Sequence, residues 1–157
     1  MDIILLSEVD IPETAKLYLE LIHFLKETTH DPYYQFDQPP LIDNMISYLT
    51  DDYKNPQTRI YIVKDDNAIV GIAVGRIIPC QPPFKEKRIG LLAEAYIQPA
   101  YRGKGLMKKM EAMLLEFFKQ NNVSYVELMV LSSNELGKKT WTALGYQTFR
   151  EYMRKKL

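Results

Sequence analysis

Apolar residues change their period several times along the chain, and each change marks an element. Ile3 to Leu6 is an apolar run of strand length. From Ile11 the period becomes helical, on Ile11, Ala15, Tyr18, Ile22 and Leu25. Asp10 and Glu13 have the separation of a capping box, which predicts a helix opening there. The proline-punctuated "THDPYYQFDQPP" reads as a loop, and Ile42, Met45, Ile46 and Leu49 mark a short second helix. "RIYIVKDDNAIVGIAVGRII" then reads as a hairpin turned at Asp65, Asp66 and Asn67. After the loop "PCQPPFKEK" comes an apolar strand, "IGLLAEAYIQ", stopped by Pro99. Helical period returns from Lys104 to Gln120, on Leu106, Met110, Met113, Leu114 and Phe117. "VSYVELMVL" has the character of a buried strand. Ser132 and Glu135 repeat the capping-box spacing before a helix that Gly145 ends, and "YQTFREYMRK" reads as a last strand.

The predicted order is β-α-α-β-β-β-α-β-α-β. The strand–helix–strand run from Ile89 to Leu131 needs a crossover, which makes those two strands parallel, whereas the hairpin before them is antiparallel. The expected fold is therefore of α/β class, a mixed central sheet with helices on both faces. No repeat, low-complexity tract or linker-like break divides residues 1–157, and a single domain is expected.

Composition narrows the function. Twenty basic and twenty acidic side chains cancel, so the basic excess typical of a nucleic-acid binder is missing. No apolar stretch reaches the length of a membrane helix, and "MDIILLSEVD" lacks the positive region of a signal peptide. The lone cysteine, Cys80, excludes an internal disulfide and fits a cytoplasmic location. It stands far in sequence from His23 and His30 and reads as an ordinary loop thiol; so few ligands argue against a metal site.

One segment carries chemistry. In "IQPAYRGKGLMKKM", Gly103 and Gly105 stand between Arg102, Lys104 and the start of a helix. First-turn N–H groups of a helix lack intrahelical partners and carry the positive end of its dipole. Glycines would let an anion such as a phosphate reach those groups, with Arg102 or Lys104 adding charge. The same glycines would also serve a plain strand-to-helix turn, and the residues alone leave both readings open. A Walker A loop is excluded because Gly105, not Ser or Thr, follows Lys104; a Rossmann turn is excluded because Lys108 occupies its third glycine position.

The wider segment, "EAYIQPAYRGKGLMKKMEAMLLEFF", resembles the cofactor-binding segment of the GNAT superfamily of N-acetyltransferases. The Ile97-x-Pro99 strand end, Tyr101, Arg102 and Gly105 carry the likeness, and "NELGKKTWTALGY" resembles the family's second segment through Asn134, Gly145 and Tyr146. The resemblance implies an acyl-CoA N-acyltransferase fold and an enzyme using acetyl-CoA as cosubstrate. It implies that the cofactor lies between the two parallel strands. Tyr96 and Ile97 would bond its pantetheine arm, the N–H groups of Gly103, Lys104, Gly105, Leu106 and Met107 would hold the diphosphate with Arg102, and Asn134 would bond it from the far side.

The reaction it implies is direct attack of a primary amine on the acetyl group in a ternary complex. An alkyl amine with a pKa of about 10.4 must first lose a proton, and Glu94, the charged residue inside "LLAEAYI", is the candidate base. A solvent-facing or ion-paired Glu94 is the alternative. Three positions depart from the family pattern: Met107 stands where glycine or alanine is usual, Gly137 replaces a common alanine, and Trp141 replaces the tyrosine that often returns a proton to the thiolate. Tyr96, Tyr146 and Tyr152 are unranked substitutes for that acid. The two loops named above would shape the acceptor pocket, and Asp31, Tyr33, Tyr34, Phe36 and Asp37 could hold an ammonium group or simply cap the core. The resemblance also implies pairing of two copies through the last strands. A non-catalytic acyl-CoA sensor of the same fold is the competing function.

Overall fold

Hairpin strands β2 (Thr58–Asp65) and β3 (Ala68–Pro79) form where the apolar alternation placed them, antiparallel and joined at Asp66, whose φ is +52°. The computed structural model describes every residue except Asp37, Pro39, Gln81 and Pro82. Strand β1 (Asp2–Leu5) adds antiparallel to β2, and β4 (Arg88–Ile97) antiparallel to β3. Strand β5 (Val126–Leu128) pairs parallel with β4, completing a mixed sheet in the order β1-β2-β3-β4-β5.

Two helices cover each face of the pattern the sequence laid out. Helices α1 (Ile11–Thr29) and α2 (Ile42–Lys54) bury Ile11, Ala15, Leu17, Leu21 and Leu49 against Ile60, Ile62, Ile72, Val74 and Tyr96. On the other face, α3 (Leu106–Gln120) buries Met110, Leu114, Phe117 and Phe118 against Val63, Val70, Ala73, Ile77 and Leu92. The last helix, α4 (Glu135–Ala143), brings Trp141 to that same cluster. The period-2 alternation of the strands divides the residues between the two clusters.

Three expectations are corrected. The last strand does not form: after α4 no residue pairs with β5, and Phe149, Tyr152 and Met153 stand exposed. A β-rich composition needs a neighbour to become a strand, and the free edge of β5 does not take this segment up. Neither capping box closes. The Asp10 carboxylate accepts from Ser7 Oγ at 2.6 Å and pairs with Lys64 at 2.7 Å, while α4 is capped by Asn134, whose Oδ1 accepts from Gly137 N–H at 2.9 Å, instead of by Ser132. Strand β5 is three residues long, far shorter than its apolar pattern.

Close packing of α3 on the sheet depends on Gly90. A Cβ there would lie 2.8–2.9 Å from three ring atoms of Phe118, which is fully buried. Gly90→Ala is expected to destabilise the fold by about 1–3 kcal/mol through overpacking. Urea unfolding checks this; the midpoint should fall with the slope unchanged.

Candidate active site

The site follows from a divergence of strands. β5 accompanies β4 only from Gly90 to Leu92, opposite Val126 to Leu128. β4 continues to Ile97 with β3 as its partner, so its other edge is left open. The opening is a cleft of about 360 Å³, walled by Phe24 and Leu25 of α1, Ala95 to Ile97 of β4, the Tyr101–Lys108 turn, and Asn134, Gly137 and Trp141 around α4.

At its end sits the glycine turn. Gly103 and Gly105 have φ of +77° and +72°, a region L side chains disfavour, and a Cβ on either would meet nothing within 4 Å. The glycines therefore serve backbone conformation and leave open space in front of it. Gly105 is the N-cap of α3, and no side chain caps that end. Its first-turn N–H groups face the cleft's end without intrahelical partners. Open space, uncapped N–H groups and the dipole's positive end are what an anionic diphosphate requires.

The other residues expected to bind cofactor gather here. Ile97 and Leu106 line the cleft, as does Met107, whose side chain packs partly against the α3 core. Arg102 Nε donates to the Ile97 carbonyl at 2.9 Å, and its guanidinium lies over the rings of Phe24 and Tyr96 at 4.8 and 5.6 Å. It thus braces the turn against α1 as well as lending charge. Lys104 lies over the Tyr101 ring, and Lys108 lines the cleft beside it. Asn134 uses its carbonyl oxygen for the helix cap, leaving its amide as a donor on the far wall. Gly137 has a positive use there, because a Cβ would meet Asn134 Nδ2 at 2.8 Å.

Glu94 has a different setting. Val74 pairs with Glu94 and Gly75 with Leu92, so Ala93 is an extra residue, a β-bulge. Leu92 and Tyr96, four residues apart, consequently pack in opposite core clusters. The bulge turns Glu94 to the α1–α2 side. Oε1 accepts from Tyr18 OH at 2.9 Å and Tyr48 OH at 2.8 Å, and from both terminal nitrogens of Arg76 at 3.3 Å. Oε2 is buried, and Arg76 approaches it to 3.0 Å without the angle of a directed hydrogen bond. Arg76 also forks onto Asp52, through Nε to Oδ1 at 3.0 Å and Nη2 to Oδ2, and donates to Tyr48 OH. Glu94 is therefore ion-paired, within a cluster of two carboxylates and one guanidinium. Tyr18, Tyr48, Asp52 and Arg76 were not singled out as site residues from sequence; the signal was Arg76, a lone charge in the apolar strand "IVGIAVGRII".

Of the three tyrosines considered as proton donors, only Tyr96 lines the cleft, beside Phe24 at 5.8 Å between centroids. Burial first raises its phenol above the ordinary value. Tyr146 OH donates to Glu111 at 3.3 Å behind Trp141, and Tyr152 is exposed on the tail. In the first loop, Asp31 and Tyr33 meet Arg154, Phe36 lies under Lys26 and Tyr34 is half-buried; Asp37 lies outside the described residues.

This cleft between splayed parallel strands, with a glycine turn opening the helix after them, is the architecture of an acyl-CoA N-acyltransferase fold. The family model for the acetyltransferase (GNAT) family matches residues 20–146, and the chain belongs to that family. Among solved structures, the chain resembles a tetramutant of the BH1408 protein from Bacillus halodurans (19% identity, all of both chains, TM-score 0.85). It also resembles a predicted acetyltransferase with acetyl-CoA from Clostridium acetobutylicum (20% identity, 99% of this chain and 95% of that one, TM-score 0.75). The aminoglycoside 6'-N-acetyltransferase AAC(6')-IG from Acinetobacter haemolyticus is similar too (16% identity, 100% and 99%, TM-score 0.75). No curated protein matches the sequence. No helix among the described residues is long and apolar enough to cross a membrane.

Burial, then the Glu94 charge, pushes the Tyr48 phenol up to about 12 from an ordinary 10.0. The folded value exceeds the unfolded one, so the stability it contributes is fully present below pH 10 and is lost as pH rises to about 12. Alkaline titration of wild type against Tyr48→Phe isolates this phenol. Glu94→Gln should bring its titration down; a Tyr48 ionising near its ordinary value in the folded protein would contradict the network.

Proposed function

We propose that the protein transfers the acetyl group of acetyl-CoA to a primary amine. The observation that carries this is the glycine turn: two positive-φ glycines with open space before them, at an uncapped helix start, closing a cleft along an unpaired strand edge. Bound there, acetyl-CoA would supply an activated acyl group with a thiol leaving group.

The chain's residues divide the remaining work. N–H groups from Gly103 to Met107 hold the diphosphate, with Arg102 and Lys104 adding charge. The open edge at Tyr96 and Ile97 bonds the pantetheine arm as an added strand would, and a strand N–H polarises the acyl oxygen. Asn134 donates from the far wall. Glu94, although ion-paired with Arg76, is the candidate base: Oε2 carries no directed hydrogen bond, and through a bridging water the carboxylate takes the proton an ammonium acceptor must lose before its nitrogen attacks. Tyr96, the one of the three candidate tyrosines that lines the cleft, is the proton donor for the leaving sulfur; a thiol, with a free pKa near 8.5, also leaves without help. Trp141 packs beside the arm, since an indole N–H is no acid near neutral pH. The acid–aromatic loop after α1 faces the acceptor.

Two expected outcomes test this. Calorimetric titration should show acetyl-CoA binding, and Gly105→Ala should weaken it more than tenfold while costing the fold only about 1–2 kcal/mol for the left-handed conformation. An unchanged Kd would reduce the turn to plain geometry. Free-thiol release over a panel of amines should reveal turnover, and Glu94→Gln should lower kcat/KM and flatten the acidic limb of its pH profile, along which a general base becomes active. Tight acetyl-CoA binding with no turnover on any amine would instead favour a sensor of the same fold.

A further inference from the structure

The segment after α4 carries no strand, yet it does not hang free. Arg154 reaches back to the loop after α1, 123 residues away in sequence. Its Nη1 and Nη2 donate to Asp31 Oδ1 and Oδ2 at 3.2 and 3.0 Å, and its guanidinium lies over the Tyr33 ring at 4.4 Å. A planar fork on a carboxylate, with an aromatic face beneath, is how proteins bind guanidinium and alkylammonium ligands. Asp31 is built for this: its Oδ1 also accepts from Tyr33 N–H at 2.9 Å, which fixes carboxylate and ring together. Nearby, Lys26 lies over the Phe36 ring at 4.8 Å, so the chain's own cations cover two aromatic faces of one loop.

The cradle is tied to the α4 end of the cleft by a direct contact. Ser133 Oγ, one residue before the α4 cap, donates to the Thr29 carbonyl at 3.2 Å and pins the start of this loop to the cleft wall.

We propose that the Asp31–Tyr33 cradle is a cation subsite for the second, non-reacting ammonium or guanidinium of a polycationic acceptor, and that Arg154 fills it in cis until such an acceptor displaces it. This rests on the transferase reading. Among the described residues, the Asp31 pair is the one hydrogen-bonded tether of residues 147–157 to the body of the protein. Arg154 is 43% exposed against 14% for the Asp31 side chain, so the pair is open to solvent on its arginine side, where a competing cation can enter. The cradle thus favours acceptors with at least two charges over simple amines, and Arg154 in the tail opposes them by occupying it.

The test compares butylamine with spermidine at saturating acetyl-CoA. Arg154→Ala should lower the spermidine-to-butylamine ratio of KM values roughly three- to tenfold, the range that an exposed ion pair and a cation–π contact together supply. Asp31→Asn should raise that ratio and erase the effect of Arg154→Ala in the double variant. Arg154→Lys, which keeps charge without the fork, should fall between wild type and Arg154→Ala. A ratio unmoved by Arg154→Ala, or moved equally with Asp31 intact or replaced, overturns the proposal. Calorimetry with spermine reads the subsite without turnover: binding should be tightest to Arg154→Ala and weakest to the double variant, and equal binding to all forms overturns it. Failure of the transferase reading looks different, as no thiol release from any amine while the spermine differences persist.

Discussion

The molecule is organised by the short pairing of two parallel strands. β5 follows β4 for three residues and then leaves it, while β3 holds β4 in place to Ile97. Buried backbone groups need partners, and those on the abandoned edge of β4 find none in the sheet. An extended ligand can supply them. The same divergence sets α4 and Trp141 on one wall and lets α1 approach with Phe24 and Leu25 on the other. The crossover helix between the parallel strands, α3, must begin where β4 ends, so its positive terminus falls at the cleft's end. Strand edge and helix terminus are two consequences of one connection.

The β-bulge at Ala93 distributes the chemistry. Without it, Glu94 would share the face of Leu92 and meet α3. With it, Glu94 turns toward α1 and α2, where Tyr18, Tyr48 and Arg76 receive it. Ala95 and Ile97 then face the α3 side, and Tyr96 packs beside Phe24. One extra residue thereby places the candidate base on the α1–α2 side of the sheet without disturbing the open edge of β4. Arg76 offsets one of two largely buried carboxylates, leaving a cluster with an excess negative charge, a setting that suits a cationic acceptor.

What the sequence made legible was what local rules decide. Gly103 and Gly105 could be read because a left-handed backbone before a helix nearly requires glycine, and the four main helices because their apolar period is strong. The face of Glu94 could not, because it depends on a register shift against Val74 and Gly75 across the sheet. Its partners were hidden likewise: Tyr18 is 76 residues distant and looks like an ordinary core position on a helix. Asn134 and Ser132 are equally good caps in sequence; the chain's exit from the short β5 selects Asn134. The tail shows the converse error, since its composition suits a strand but a strand requires an edge that accepts it.

The tail also bears on how the acid–aromatic loop should be understood. Aromatics that merely sealed the core would be buried, yet Tyr33 is 78% exposed, and its ring is covered chiefly by a guanidinium. Asp31 is held low by the hydrogen bonds from Arg154 first and from the Tyr33 backbone second, so its charge is already committed to a cation. An arginine laid over this carboxylate and ring, on a segment with no sheet to hold it, offers a planar fork that the acid and the aromatic face receive together.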